Sequence, residues 1–517
     1  MKNNNFPSLR ELLDGGAAKY GNAPFIKYIQ NGNIIEKSYS TVCEDSKAVC
    51  RMLRAFSGEK IHYAIIGKTS YDYLIFFSGI IISGNTGVPF SPEISVNEAA
   101  ELFRRADIQG LIYDGEFADR VDELKEKCPF ISFCQRIDDE STQEIYKKYD
   151  DSSEYAPLSD YEVDKEDCAV IIYTSGTTGV KKGVMLSSNA LVGNITYHDY
   201  CADIFTENDV SLSVLPMYHV YCFSGDFIKN LRDGVQVCLN KNLKDIVTNL
   251  TAFEPKVIRV VPMIVQSLLQ RIRIIRRKNP DLSPREAAER IFGRKIEWII
   301  SGGAYLNPEL VNECAELGIT MRQGYGMTEA GCRISVPDEN VSLASVGRVI
   351  DLCDVRIENS EIQVKTPTVM TGYYKMPEET AKMFTPDGWL KTGDIGYVTE
   401  DRQLFITGRV KNLIILSGGK NVSPEAIEKK FADAELISEV LVYGENNQIA
   451  AEFYPDFAYA ESKGIEDVPA EIEKVVDRLN STAKASHIIT KIKIRETPFE
   501  KTGAGKIKRN QAVIGQE

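Results

Sequence analysis

Residues 174–183 carry the densest cluster of chemistry-bearing side chains in the chain: Thr174, Ser175, Gly176, Thr177, Thr178, Gly179, Val180, Lys181, Lys182 and Gly183. Glycines and small hydroxyl residues let backbone N–H groups converge on an anion, the hydroxyls add donors, and lysines add charge. A plain turn between strands favours the same small residues. Four hydroxyl residues, three glycines and two lysines in one run shift the reading to a phosphate loop. It is not the pattern G-x-x-x-x-G-K-[ST], because Lys181 stands where the second glycine belongs, counting from Gly176. Residues 183–186 read as a strand, and a helix starts only at 187–189. The spacing therefore predicts a hairpin clamp that follows the apolar strand at 168–173.

This stretch resembles the signature loop of the adenylate-forming (ANL) superfamily, which includes acyl-CoA synthetases, peptide-synthetase adenylation domains and beetle luciferases. Lys181 departs from it, since the family usually has proline or a small apolar residue there. The remaining family motifs follow in order. Residues 215–221 (LPMYHVY) resemble the segment lining the acyl pocket, which implies that His219 and Tyr221 approach the carboxylate substrate. Gly303 and Ala304 follow a strand, and Gln323, Gly324, Tyr325, Gly326, Met327, Thr328 and Glu329 come about twenty residues later. The resemblance implies an adenine slot from Gly303, Ala304 and Tyr325, an α-phosphate contact from Thr328, and a magnesium ion on Glu329. A carboxylate beside a triphosphate is costly unless a divalent cation lies between them.

Thr392, Gly393 and Asp394, with Arg409 fifteen residues on, resemble the pair that holds the ribose hydroxyls; Asp accepts and Arg donates. Residues 413–428 (LIILSGGKNVSPEAIE) resemble the start of a mobile C-terminal domain, with Lys411 at the hinge. Gly418 and Gly419 would let a pantetheine arm pass close to the backbone. Asn412 stands where relatives often have an acid. Residues 498–509 (PFEKTGAGKIKR) resemble the C-terminal catalytic loop and place Lys506 as the catalytic lysine.

The elements that must position these residues are legible as alternating short apolar runs and amphipathic segments, the mark of βαβ units. Strands are expected at 62–67, 109–113, 168–173, 257–261 and 296–301, and helices at 97–105 and 284–291, the latter capped by Ser283 before a first-turn proline. After about residue 340, short alternating segments predict a small antiparallel or barrel-like unit. A compact α+β module follows, with helices at 424–432 and 470–483 and strands near 439–443, 449–453 and 491–495. The fold class is α/β multidomain: a large N-terminal body of α/β subdomains, a small β-barrel-like subdomain, and a small mobile α+β C-terminal domain. The divisions are 1–408 for adenylation, 409–411 for the hinge and 412–517 for the mobile domain. Residues 1–160 hold no diagnostic motif.

Composition bounds the reading. The chain has 517 residues and a formal net charge of −13, which argues against a general nucleic-acid binder. Its eleven cysteines include no Cys-x-x-Cys pair, which suits a reducing cytosol better than a disulfide framework. The start lacks the apolar core of a signal peptide. The most apolar stretch, 74–82, is far short of the roughly 20 residues of a membrane span. A cytoplasmic enzyme is expected.

The resemblance implies ATP-dependent activation of a carboxylic acid to acyl-AMP, then transfer to the thiol of CoA. The cofactors would be ATP, Mg2+ and CoA or a carrier-protein phosphopantetheine. Asp226 is displaced from the position that holds an amino-acid amine, so a fatty or aromatic acid fits better, with a fatty acid the first reading. Acceptors other than CoA include an acyl or peptidyl carrier protein. A luciferase-like oxygenase and a non-catalytic nucleotide-binding regulator are the readings from other classes.

Overall fold

A computed structural model of the chain describes residues 6–174, 180–196, 204–416, 420–431, 434–501 and 507–509. They form two compact units: 1–355 with 364–390, and 356–363 with 391–517.

The larger unit is built on two mixed seven-stranded sheets. One runs, edge to edge, Gly372–Tyr373, Lys182–Ser187, Cys168–Thr174, Thr86–Phe90, His62–Ile66, Ile108–Tyr113 and Phe133–Arg136. Its last five strands pair in parallel, whereas Lys182–Ser187 is antiparallel to both of its neighbours. The other runs Thr320–Gln323, Trp298–Ser301, Val257–Val260, Val210–Ser213, Gln236–Leu239, Pro24–Gln30 and Asn33–Ser38, parallel except for its final hairpin. Strands buried on both faces read as continuous apolar runs, which is why the expected strands coincide with the observed ones. The expected helices appear as Val96–Arg105 and Pro284–Phe292, and Ser283 closes a capping box with Glu286. The stretch at 74–82 lies in the helix Tyr71–Ile82, apolar on all sides and wholly buried between layers. Among the described residues, no helix is long and apolar enough to cross a membrane.

After residue 340 the expected barrel-like unit is instead a set of open sheets. Ser335–Val336 pairs with Arg348–Val349, and Asp354–Glu358, Glu361–Lys365, Leu390–Val398 and Leu404–Arg409 form one four-stranded sheet in that order. Four short strands cannot curl far enough to pair their own edges, and no closed barrel exists among the described residues. The C-terminal module packs a three-stranded sheet, Ile437–Glu445, Gln448–Pro455 and Ile489–Ile494, against helices Pro424–Glu428, Phe457–Ser462 and Val468–Ser481. Phe431 and Phe453 meet edge to face at 5.1 Å in its core.

Candidate functional site

In the larger unit, the arms of the phosphate hairpin are antiparallel and in register, with Thr174 opposite Lys182. The Thr174 hydroxyl reaches the Lys182 carbonyl at 3.5 Å. Ser175, Gly176, Thr177, Thr178 and Gly179 lie outside the described residues. Lys182 is nearly buried; its ammonium pairs with Glu379 at 2.6 Å and stands 5.0 Å from the Tyr373 ring. The Lys182 and Lys382 ammonium groups together hold the Glu379 carboxyl down to about 2. Lys181 pairs with Glu98.

Tyr373 connects this hairpin to the Tyr-Gly-Met-Thr-Glu turn. It sits on a two-residue edge strand opposite Val184, and its hydroxyl donates to Glu329 Oε1 at 2.8 Å. Burial and the Glu329 charge push the Tyr373 phenol well up, so it remains a donor. Glu329 and Thr328 belong to the 3-10 turn Thr328–Ala330, tied by the Met370 N–H to the Glu329 carbonyl at 2.8 Å. Asn194, buried on the helix after the hairpin, donates to the Arg333 carbonyl at 3.0 Å and to Thr368 Oγ1 at 3.1 Å, and so fixes the far side of the turn.

A second group lies at the carboxyl ends of three parallel strands, where open α/β sheets bind ligands. The Gly302 N–H bonds the Val260 carbonyl at 3.2 Å, and the Gly324 N–H bonds the Ser301 carbonyl at 3.0 Å. Gly303 has φ +76, a conformation glycine adopts without penalty, and Ala304 follows it. Gln323 is buried and donates to the Ser345 carbonyl at 3.1 Å. The Tyr325 N–H meets the Ser335 hydroxyl at 3.2 Å, so the turn is pinned to a neighbouring strand. The Tyr221 ring packs on Gly302, where a Cβ would stand 3.3 Å from the ring. His219 keeps surface open to solvent, yet the protein around it costs the charged form its hydration and lowers its pKa, leaving a neutral ring near pH 7.

Gly326 lies where the backbone of this turn crosses itself. A Cβ there would fall 1.6 Å from the Cys332 carbonyl oxygen. Gly326→Ala is expected to cost about 3 kcal/mol, the upper end of the usual range for overpacking, through forced backbone displacement. A urea midpoint equal to that of the unchanged protein would contradict this packing.

In the smaller unit, Asp394 and Arg409 are cross-strand partners, with Arg409 Nε 2.8 Å from Asp394 Oδ1. The Thr392 hydroxyl donates to the Ile362 carbonyl at 2.7 Å, and the Gly393 N–H reaches Glu361 at 2.9 Å, which shapes the turn carrying Asp394. Lys411 lies in the 3-10 turn Val410–Asn412. The Asn412 amide donates to Glu425, a contact an acid at 412 would turn repulsive, so the departure from the family has a local reason. Gly418, Gly419 and Lys506 lie outside the described residues. The flanks of residues 502–506 are anchored by the bridge between Lys501 and Ile507, the Lys501–Glu439 pair at 2.5 Å, and the Arg509–Glu428 pair. These basic residues thus have acidic partners.

Sequence reasoning missed Tyr373 and Glu379, whose strand and helix carry no distinguishing pattern of their own. It noted Asp226 as displaced. The structure buries that carboxylate in an ion pair with Arg259, Nη1 to Oδ1 2.8 Å.

The two sheets and the separate α+β module have the architecture of an adenylate-forming enzyme. Anthranilate CoA ligase AuaEII, solved with anthranoyl-AMP, superposes with TM-score 0.80 at 17% identity, covering 100% of this chain and 99% of that one. ATP-bound MatB from Rhodopseudomonas palustris gives 0.81 at 22% identity, covering 98% and 99%. A family model for the AMP-binding enzyme matches residues 13–374, and one for the AMP-binding enzyme C-terminal domain matches residues 411–514. The chain belongs to the AMP-binding enzyme family, the ANL superfamily, and is an acid–thiol ligase by class. Among its relatives, 4-coumarate-CoA ligase 1 of Narcissus pseudonarcissus is 29% identical over 385 residues, 70% of this chain and 67% of that protein. The long-chain-fatty-acid–CoA ligase FadD15 of Mycobacterium bovis is 27% identical over 512 residues, 86% and 84%.

Proposed function

We propose that the protein joins a carboxylic acid of apolar body to CoA through an acyl-adenylate. A carboxylate oxygen attacks the α-phosphorus of ATP, the bond to the bridging oxygen breaks, and pyrophosphate leaves. The CoA sulfur then attacks the acyl carbonyl, AMP departs, and the thiol proton passes to solvent. No group on the protein becomes covalently attached, so the residues supply position and charge.

The observation that carries this reading is the contact chain Glu329–Tyr373–Lys182, which brings the Tyr-Gly-Met-Thr-Glu turn beside the base of the phosphate hairpin. Thr328 is assigned to the α-phosphate, and Gly303, Ala304, Gln323, Gly324 and Tyr325 to the base. Asp394 and Arg409 are assigned to the ribose, and Lys506 to the developing charge in the first step. His219, neutral, and Tyr221 border the carboxylate. Lys182 is assigned to the phosphates together with residues 174–179, in exchange for its partner Glu379.

Magnesium fits Glu329. One carboxylate oxygen is held by Tyr373, and no described residue donates to Oε2. Magnesium commonly takes one or two protein carboxylates and completes its shell with phosphates and water. When bound, it supplies charge neutralisation of the phosphate oxygens.

Phe77, Val170, Ile172, Leu191, Met217 and Phe223 wall an apolar space beside Tyr218, which supports a fatty or aromatic body for the acid. CoA is the acceptor in this reading, with a carrier-protein phosphopantetheine the second choice. None of the ten described cysteines is in a disulfide, which supports a reducing cytoplasmic setting.

Acid-dependent ATP–pyrophosphate exchange across a panel of carboxylic acids tests the first step. CoA and a holo carrier protein offered in parallel test the second. Exchange that requires both acid and magnesium, followed by an acyl-CoA product, is the expected result. Absence of exchange with every acid would overturn the proposal.

A further inference from the structure

Lys181 stands in the phosphate loop where the family usually has proline or a small apolar residue, and the structure ties it to a helix. Its ammonium pairs with Glu98, and its carbonyl accepts from Arg105 Nη2 at 2.5 Å. Glu98 and Arg105 both lie on the helix Val96–Arg105, and Glu101 between them meets Arg105 Nη1 at 3.4 Å. Spacings of three and four residues put all three on one helix face. The Arg105 guanidinium also stands 5.8 Å from the ring of Tyr173, on the opposing arm of the hairpin. One helix face therefore touches both arms, at Tyr173 and at Lys181.

The same helix end also holds the third strand. Asp107, two residues past Arg105, accepts from the Tyr374 hydroxyl at 2.6 Å and pairs with Lys375 at 2.6 Å. The Tyr374 N–H in turn bonds the Gly183 carbonyl at 2.8 Å. Adjacent side chains along extended backbone leave on opposite faces. Lys181 accordingly turns to Glu98, whereas Lys182 turns to Glu379 and Tyr373.

Given the reading that residues 174–179 and Lys182 bind the phosphates of ATP, we infer that Lys181 is a positioning residue. It latches the hairpin to Glu98 and, with Arg105, sets Lys182 toward the nucleotide, while making no phosphate contact of its own. The charges agree with this role: Glu98 compensates Lys181, and Glu101 compensates Arg105, so neither is a spare cation for a triphosphate. Proline or a small apolar residue at 181 has no group to pair with Glu98. The position of Lys182 matters because small misplacements at a reacting centre are costly in rate. The latch and a direct phosphate contact predict opposite signs at Glu98. Were Lys181 a phosphate ligand, removing the carboxylate that competes for it would tighten ATP binding. As a latch, the pair loosens the hairpin when either partner is lost, and ATP binding weakens.

The test is equilibrium dialysis of α,β-methylene-ATP with magnesium and the full chain, without acid, so that binding is read apart from catalysis. Glu98→Gln and Lys181→Met are each expected to weaken binding about two- to fivefold, the range of one exposed ion pair. The double variant should lose no more than either single one, because both remove the same contact. The swapped pair Glu98→Lys/Lys181→Glu should bind within about twofold of the unchanged protein, whereas Lys181→Glu alone should not. Arg105→Met, which removes a charge-assisted bond to the backbone, should cost about tenfold. In pyrophosphate exchange the loss should fall on the KM for ATP and leave the KM for the acid within about twofold. Tighter binding in Glu98→Gln, or a swapped pair as weak as Lys181→Glu, would make Lys181 a phosphate ligand and overturn the inference. Unchanged binding in both single variants overturns it as well. An unchanged protein that binds no analogue at all would end the nucleotide reading itself, and the latch with it, a result distinct from any difference between variants.

Discussion

Lys506→Ala is expected to lower acid-dependent pyrophosphate exchange by about 10²–10³, the usual cost of deleting one electrostatic contact to charge that develops in a transition state. Thioester formation from supplied acyl-AMP should change by less than about threefold, because the lysine is assigned to the first step only. The fold should be indifferent. The loop base is held by the Phe499 N–H on Glu439 at 2.8 Å, the Lys508 N–H on the Glu500 carbonyl at 2.9 Å, and the Arg509–Glu428 pair, none of which involves position 506. Lys508→Ala is the matched control. It removes a neighbouring cation whose partner is Glu500 at 3.4 Å, an exposed pair of the kind worth little, and should leave exchange nearly unchanged. Equal losses in the two variants would mean that the tip acts only as a diffuse positive field and would remove Lys506 from the mechanism.

What was legible in the sequence was whatever rests on local periodicity or on an ordered run of residues. Cys168–Thr174 and Trp298–Ser301 are near-continuous apolar runs because both faces of their sheets are covered. Ser283 with Glu286 three residues on is a complete helix-start signal. Contacts between distant segments were not legible. Tyr373 reaches Glu329 across 44 residues, on a strand of two residues, too short to show a period. Lys182 reads as a phosphate ligand, and Glu379, which partners it, lies 197 residues away on a short helix with no motif. The Asp226–Arg259 pair depends on a π-turn, and an extra residue in a helix leaves no mark in composition. The alternating segments after residue 340 announce strands but not whether the sheet closes, because closure depends on strand number and tilt.

Lys411→Pro is expected to separate the two half-reactions: pyrophosphate exchange within about threefold of the unchanged enzyme, and thioester formation reduced by at least about 10². The argument rests on the chain around position 411. Val410–Asn412 is a single 3-10 turn between the strand Leu404–Arg409 and Leu413. Proline fixes φ near −65°, within the range of such a turn, and its one local cost falls on the helical backbone of Val410 before it, so the proposed adenylating arrangement can persist while rotation about this bond is lost. In the structure the C-terminal module is fastened across the turn. The Ser423 hydroxyl donates to the Thr407 carbonyl at 2.8 Å, and Lys429 Nζ to the Ile406 carbonyl at 3.1 Å. Gly408 lets them approach, since a Cβ there would stand 2.2 Å from Ser423 Oγ. A rotation at 409–411 must give up these bonds, and hinges of this kind absorb the dihedral change at very few residues. Val410→Pro locks the neighbouring φ and is locally tolerated, because Arg409 before it is already extended at φ −124, ψ 138. If the pivot is at 411, Val410→Pro should slow thioester formation far less than Lys411→Pro. Parallel loss of exchange and transfer in Lys411→Pro would place Lys411 among the binding groups of the first step and leave the second step without a hinge there.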